Sequence, residues 1–134
     1  MSKANTTEND VLKMILQGTD PAYRVGANLY LALFTADPTE TGSIANEATY
    51  TSYARVALVK ATAWTDGGST FSNAGLIQFP QCTGGSNLIT HVALITTASG
   101  AGQILYKGAL NSSLTVTNLI QPQFAIAALS ISED

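Results

Sequence analysis

NLYLALFTADPTETG, Asn28–Gly42, is the stretch on which the reading of this chain turns. From Leu29 to Phe34 it is apolar or aromatic without a break, and at Thr35-Ala36-Asp37-Pro38 it turns abruptly polar. A short unbroken apolar run closed by turn residues reads as a strand covered on both faces. One face is expected against the core, the other against a helix or a neighbour. Asp37-Pro38 then turns the chain out into Thr35 to Thr51, the longest irregular stretch. Unstructured segments of that length are uncommon in compact domains and are often functional.

The rest of the chain repeats the strand-and-turn pattern. Strands are predicted at Ala27–Phe34, Ser52–Lys60, Thr70–Asn73, Leu76–Pro80, Leu88–Thr96, Gln103–Leu110, Leu114–Thr117 and Phe124–Ile131. Asp66–Ser69, Gly84–Asn87 and Thr97–Gly102 supply turn chemistry between them. Short strands at regular spacing predict an all-β sandwich or barrel. A parallel sheet would need helical crossovers, and a single helix is predicted, over Asn5 to Gly18. Asn5 with Glu8 forms a capping-box pair, Thr7 with Asp10 an alternative frame, and Gly18 the stop. Val11, Leu12, Ile15 and Leu16 share its apolar face. The expected fold is an antiparallel, jelly-roll-like β-sandwich of about eight strands with one short N-terminal helix. Residues 1–26 are read as helix and arm, and residues 27–134 as the sandwich.

Charge is scarce and unevenly placed. Only 11% of the 134 residues are charged, against about 25% in an average soluble domain. Between Gly67 and Ser132 the single formal charge is Lys107, with His91 beside it as a titratable group. Interface cores are depleted in charge in the same way, so the chain is expected to assemble. A net charge of −3 and six scattered Lys and Arg give no basic patch for nucleic acid. No apolar run is long enough to span a membrane, and the polar, acidic N-terminus does not read as a signal peptide. One cysteine, Cys82, permits no intrachain disulfide.

Chemistry is equally sparse. His91 lies within an apolar strand, without an acidic neighbour in sequence, and is expected to be a sheet histidine with a satisfied ring nitrogen. Cys82 has no base beside it to make it a nucleophile. Asp37, Glu40 and Glu47 share one loop, but their spacing fits no calcium-loop template. Gly100-Ala101-Gly102 lacks the helix that a dinucleotide fingerprint requires and reads as a hairpin turn. Tyr50, Tyr53 and Trp64 are expected in core or interface before a sugar-stacking platform. No enzyme activity, metal or cofactor is expected: the protein binds or builds.

Asn28 to Thr39, NLYLALFTADPT, resembles the opening strand and turn of a family of small tailed-bacteriophage virion proteins, labelled tail fibre or capsid decoration (cement) proteins. Glu47 with Ser52-Tyr53-Ala54-Arg55-Val56 is similar to its "E…GYARV" segment. Asn73-Ala74 with Ile77-Gln78-Phe79-Pro80 is similar to its "NA…I.FP" strand. Ile89–Leu94, ITHVAL, and Leu105–Leu110, LYKGAL, follow in the same order. Thr96–Gly100 and Asn118–Pro122 depart from the family pattern in two loops. The resemblance implies a virion structural protein, made in the bacterial host cytoplasm. The leading expectation is a decoration protein on the capsid surface that bridges subunits of the major capsid protein, itself a trimer or dimer. A tail fibre or tail-tip module that recognises a host surface is the alternative. The expected contact residues are Val11, Leu12, Ile15 and Leu16 on the helix and Asp37, Pro38 and Glu40 in the loop. Removal of residues 1–18 is expected to leave the sandwich folded.

Overall fold

The apolar run becomes strand β2, Asn28–Phe34, next to the edge of a five-stranded antiparallel sheet. A computed structural model describes residues 1–133; Asp134, the last residue of the predicted sandwich, lies outside the described residues. The strands are β1 (Ser2–Lys3), β2, β3 (Val56–Val59), β4 (Trp64–Asp66), β5 (Thr70–Asn73), β6 (Ile77–Gln78), β7 (Asn87–Ile95), β8 (Ile104–Val116), β9 (Gln123–Phe124) and β10 (Ser130–Ser132). Helix α1 spans Asn5–Gln17, and Ala22–Arg24 forms a short 3-10 turn. The large sheet runs β1-β8-β7-β2-β3, faced by a smaller layer with β10-β5-β4 in one sheet and β6-β9 in another. All pairings are antiparallel, and the architecture is all-β and sandwich-like.

Alternate residues of β2 explain its unbroken apolar sequence. Leu31 and Leu33 point into the main core with Val92, Leu94, Phe79 and Leu129. Ala32 and Phe34 point the other way, into a second cluster with Ala4, Ala93, Ile95 and Ile104. Both faces of the strand are therefore dry. The pairings Leu31↔Leu94 and Leu33↔Val92 carry the inner face across to β7. A one-residue slip would exchange the two apolar sets.

Several boundaries differ from the sequence reading for identifiable reasons. Ala4, not Asn5, is the helix N-cap, and no side chain caps it. The Ala4 N–H bonds to the Leu105 carbonyl at 3.1 Å, and Ala4 is buried. Docking onto β8 thus fixes the start of the helix and overrides the local capping signal. Gly18 ends it in the left-handed region, φ 65°, as its sequence position predicts. The predicted strands at Gln103–Leu110 and Leu114–Thr117 are one long strand, β8, with a register break against β7. The predicted last strand is instead broken into β9 and β10. Asn73 is responsible: its buried amide donates to the carbonyls of Gly75 (2.7 Å) and Ala125 (2.8 Å), and its oxygen accepts from the Leu129 N–H (2.9 Å). That gathers Ala125 to Leu129 into a turn that passes through Ala127 at φ 62°. The small alanine side chains there bring too little packing to resist it.

The N-terminal residues are part of the sheet. Ser2 and Lys3 pair with Lys107 and Tyr106 of β8, and Ala4 closes the second cluster. Deleting residues 1–18 would remove an edge strand and uncover Ala32, Phe34, Ile95 and Ile104. Loss of residues 1–18 would therefore disturb the fold as well as any assembly, whereas point substitutions on the exposed side of α1 would not.

Candidate assembly site

Helix α1 has two apolar sides. Thr7 is buried and its hydroxyl donates to the Ile104 carbonyl at 3.4 Å. Asp10 accepts the Gln103 amide at 2.8 Å. Val11 is half-buried, and with Thr7, Asp10 and Met14 it lines the crevice over Leu105 and Tyr106. These positions recur at three- and four-residue spacing and form the docked side. Leu12, Ile15 and Leu16 fall on the far side and are 56%, 69% and 75% exposed. The predicted apolar face is thus divided. Val11 belongs to the fold, while the other three stand in solvent as an unpartnered patch.

The loop residues divide as well. Pro38 is fully buried. Its side chain is therefore covered within the fold and offers no exposed surface to a partner. Asp37 and Glu40 are half-exposed and converge on Lys107 of β8, with Nζ–carboxylate distances of 3.2 and 3.0 Å. The hydrogen bond to Glu40 holds the Lys107 pKa above its ordinary value, with Asp37 adding to it. Asp37 is held below the ordinary carboxylate range, first by the Thr39 N–H at 2.8 Å and then by Lys107. A depressed carboxylate contributes stability that is present above its unfolded pKa and is lost as pH falls through its folded one. The stability difference between wild type and Asp37→Asn is therefore expected to be constant from neutral pH to about pH 4, near the ordinary carboxylate pKa. It should then shrink in stronger acid. Urea midpoints across that range check it, and a difference that persists unchanged at the acid end would refute it.

The other end of the loop is held by a clamp. Arg55, at the entrance to β3, donates through Nε and Nη2 to both oxygens of Glu47, each at 2.7 Å. Nη1 reaches the carbonyl and hydroxyl of Thr97 at 2.8 and 2.9 Å, and Nη2 reaches the Gly100 carbonyl at 2.8 Å. Tyr53 completes it, donating to Glu47 at 2.8 Å while its oxygen accepts the Leu33 N–H at 3.1 Å. The Glu47 hydrogen bond raises the Arg55 pKa further, and burial pushes the Tyr53 hydroxyl up. One guanidinium thus ties together the long loop, β3 and the β7–β8 hairpin. The hairpin holds Gly100-Ala101-Gly102, which is a turn and not a nucleotide loop.

The remaining candidates are structural. Tyr50, Tyr53, Phe79 and Phe124 form a continuous aromatic chain at centroid distances of 5.4 to 6.4 Å. Burial pushes the Tyr50 hydroxyl up to about 12. Tyr50 is buried, Tyr53 is half-buried and Trp64 packs partly buried against the same core, so the three form no exposed platform. The His91 Nδ1 lies 2.8 Å from the Thr90 hydroxyl. Cys82 is buried with its thiol on the Gly84 carbonyl at 3.1 Å. Asp37 and Glu40 meet Lys107 and Glu47 meets Arg55, which separates the acidic residues of the loop. Among the described residues no group of three or more His, Cys, Asp and Glu is gathered for a metal ion.

The partnership of Lys107 was missed in the sequence, although its signal was present. A lone lysine that is buried in a sheet needs partners for its charge, since lysine is almost never fully buried unless paired. The carboxylates stand more than sixty residues earlier, in the one long loop.

The family model described as podophage GP4 fiber I protein gp80 matches residues 2–132. The chain belongs to this family. It is a bacteriophage virion protein, in line with the resemblance carried by Asn28–Thr39. No curated protein matches the sequence. The match takes in both α1 and the sandwich.

Proposed function

We propose that this protein is a structural subunit of a virion fibre, joined to further copies of itself through the exposed side of α1. The observation that carries the reading is the trio Leu12, Ile15 and Leu16, held in solvent on a helix whose other side is already docked. Leaving three such side chains bare forfeits the burial of roughly 1.5–3 kcal/mol each. Helix packing between copies, as a trimer or else a dimer, recovers it. The charge-free sequence from Gly108 to Ser132 supports a surface made to lie against neighbours. The family's fibre description favours this site in the virion. No catalytic step is assigned: the titratable groups described above are committed to internal pairs.

A capsid decoration protein that bridges subunits of the major capsid protein is the second reading, and the same exposed helix side would serve it. Copy number and position separate the two. Gold-labelled antibody or cryo-electron microscopy is expected to place a few copies on fibres. Hundreds of copies spread over the shell would overturn the fibre reading in favour of decoration.

Leu16→Asp is expected to shift the oligomer to monomer in light-scattering chromatography while leaving the circular dichroism and melting temperature of the sandwich unchanged. An unchanged oligomer would remove α1 as the contact.

A further inference from the structure

We propose that the groove beside β8 is a binding site for a neutral saccharide. The groove has a volume of about 550 Å³, within the roughly 300–1,000 Å³ range of ligand sites. It opens between the edge of the large sheet and the segment that carries β9, with Leu33 and Val92 at its floor. Its rim is formed by Asn111, Ser112, Ser113, Gln123, Phe124 and Ser130.

The wall of this groove is built by an irregularity in the sheet. Between the pairs His91↔Ala109 and Ile89↔Leu114, β7 passes one residue, Thr90, while β8 passes Leu110 to Ser113. These extra residues bow out of the ladder. Asn111, Ser112 and Ser113 are exposed as a result. Bulges of this kind recur next to functional sites, where they re-aim side chains.

The chemistry of the rim selects the ligand class. Amides and hydroxyls both donate and accept, which matches the hydroxyl groups of a sugar. Gln123 is oriented by the Gln78 amide, which donates to its oxygen at 3.2 Å and leaves its own NH₂ free to donate. The half-buried Phe124 offers an apolar surface to the C–H face of a ring. Among the described residues no ionisable side chain lines the groove. The charge that the described residues place at the rim is the Met1 amino group, which is directed at the Ser130 carbonyl at 3.4 Å. Anionic sugars and phosphates therefore find no arginine or lysine to hold them. An extended peptide is disfavoured too, because the bowed segment breaks the regular edge that strand addition needs.

The site would give a fibre subunit a ligand, yet the argument rests on the groove and not on the position in the virion. The test uses the whole chain in solution. Glucose, galactose, mannose, N-acetylglucosamine and N-acetylneuraminic acid are titrated by calorimetry and by amide chemical-shift changes, alongside panning of a random displayed-peptide library. Saturable binding of at least one neutral sugar is expected, with shifts centred on Asn111 to Ser113. The double variant Asn111→Ala, Ser113→Ala is expected to weaken it about tenfold or more with an unchanged melting temperature. Ser112→Arg, which places a long side chain at the mouth, should abolish it. Absence of saturable binding by every neutral sugar, preference for the acidic sugar, equal binding by the double variant, or peptide seated in the groove would each overturn the proposal. Virion position is read separately by microscopy, so failure here and failure of the fibre reading are distinguishable.

Discussion

Arg55→Ala is expected to destabilise the fold by about 3–5 kcal/mol, the range for removing one partner of a buried ion pair. The guanidinium side chain is 2% exposed and the Glu47 side chain 16%. Without Arg55, the Glu47 carboxylate stays half-enclosed with the Tyr53 hydroxyl as its remaining side-chain partner. The carbonyls of Thr97 and Gly100 lose a charged donor at the same time. The melting temperature should fall by about 10 °C or more. The loss should also be cooperative, because the clamp joins segments more than forty residues apart in the chain. Glu47→Ala should match it within about 1 kcal/mol, and the double variant should cost less than the two single losses together. A single-variant melting temperature within about 2 °C of wild type, under 1 kcal/mol, would show that the clamp is not what holds the loop.

Phe79→Ala is expected to cost about 3–5 kcal/mol by a different route, the cavity left by a large buried side chain. Phe79 is 1% exposed. Its ring stacks near-parallel to Tyr53 at 6.4 Å and meets Phe124 edge-on at 6.4 Å. The ring therefore joins the segment leading to β3 with the β6–β9 pair of the smaller layer. The Phe79 N–H bonds to the Pro122 carbonyl at 2.9 Å, so the backbone there stays anchored and relaxation into the cavity is limited. Phe79→Leu should recover much of the loss, since it refills most of the volume. Urea unfolding of both variants checks the order. Equal stability of Phe79→Ala and Phe79→Leu would contradict a cavity as the cause.

These two sites also show where the sequence was legible. Phe79 stands in an apolar run, and its burial follows from composition and alternation alone. Arg55 stands at the entrance to β3 between the apolar Ala54 and Val56, and its partner is eight residues earlier in a loop. Nothing local says that the two meet. Strand periodicity located β2 and β7 closely, because a strand with buried faces is marked by residue type at every position. It joined β9 to β10 incorrectly, because Ala125, Ala127 and Ala128 are small and Ile126 stays exposed, so packing holds neither conformation and the Asn73 amide decides between them.

The functional surfaces divide along the same line. The sequence by itself determined that the chain is all-β, short of charge and similar to phage virion proteins. It also placed Val11, Leu12, Ile15 and Leu16 on one helix. Tertiary structure alone decided which of these face solvent, because that depends on how α1 is docked by Ala4, Thr7 and Asp10 onto β8. It decided that Pro38 is buried, that Asp37 and Glu40 are joined to Lys107, and that Leu110 to Ser113 bow out to wall a groove. Residue type and local spacing record burial and conformation, and those are short-range properties of the chain. Ion pairs and grooves arise between segments distant in sequence, and only the pairing of the strands brings those segments together.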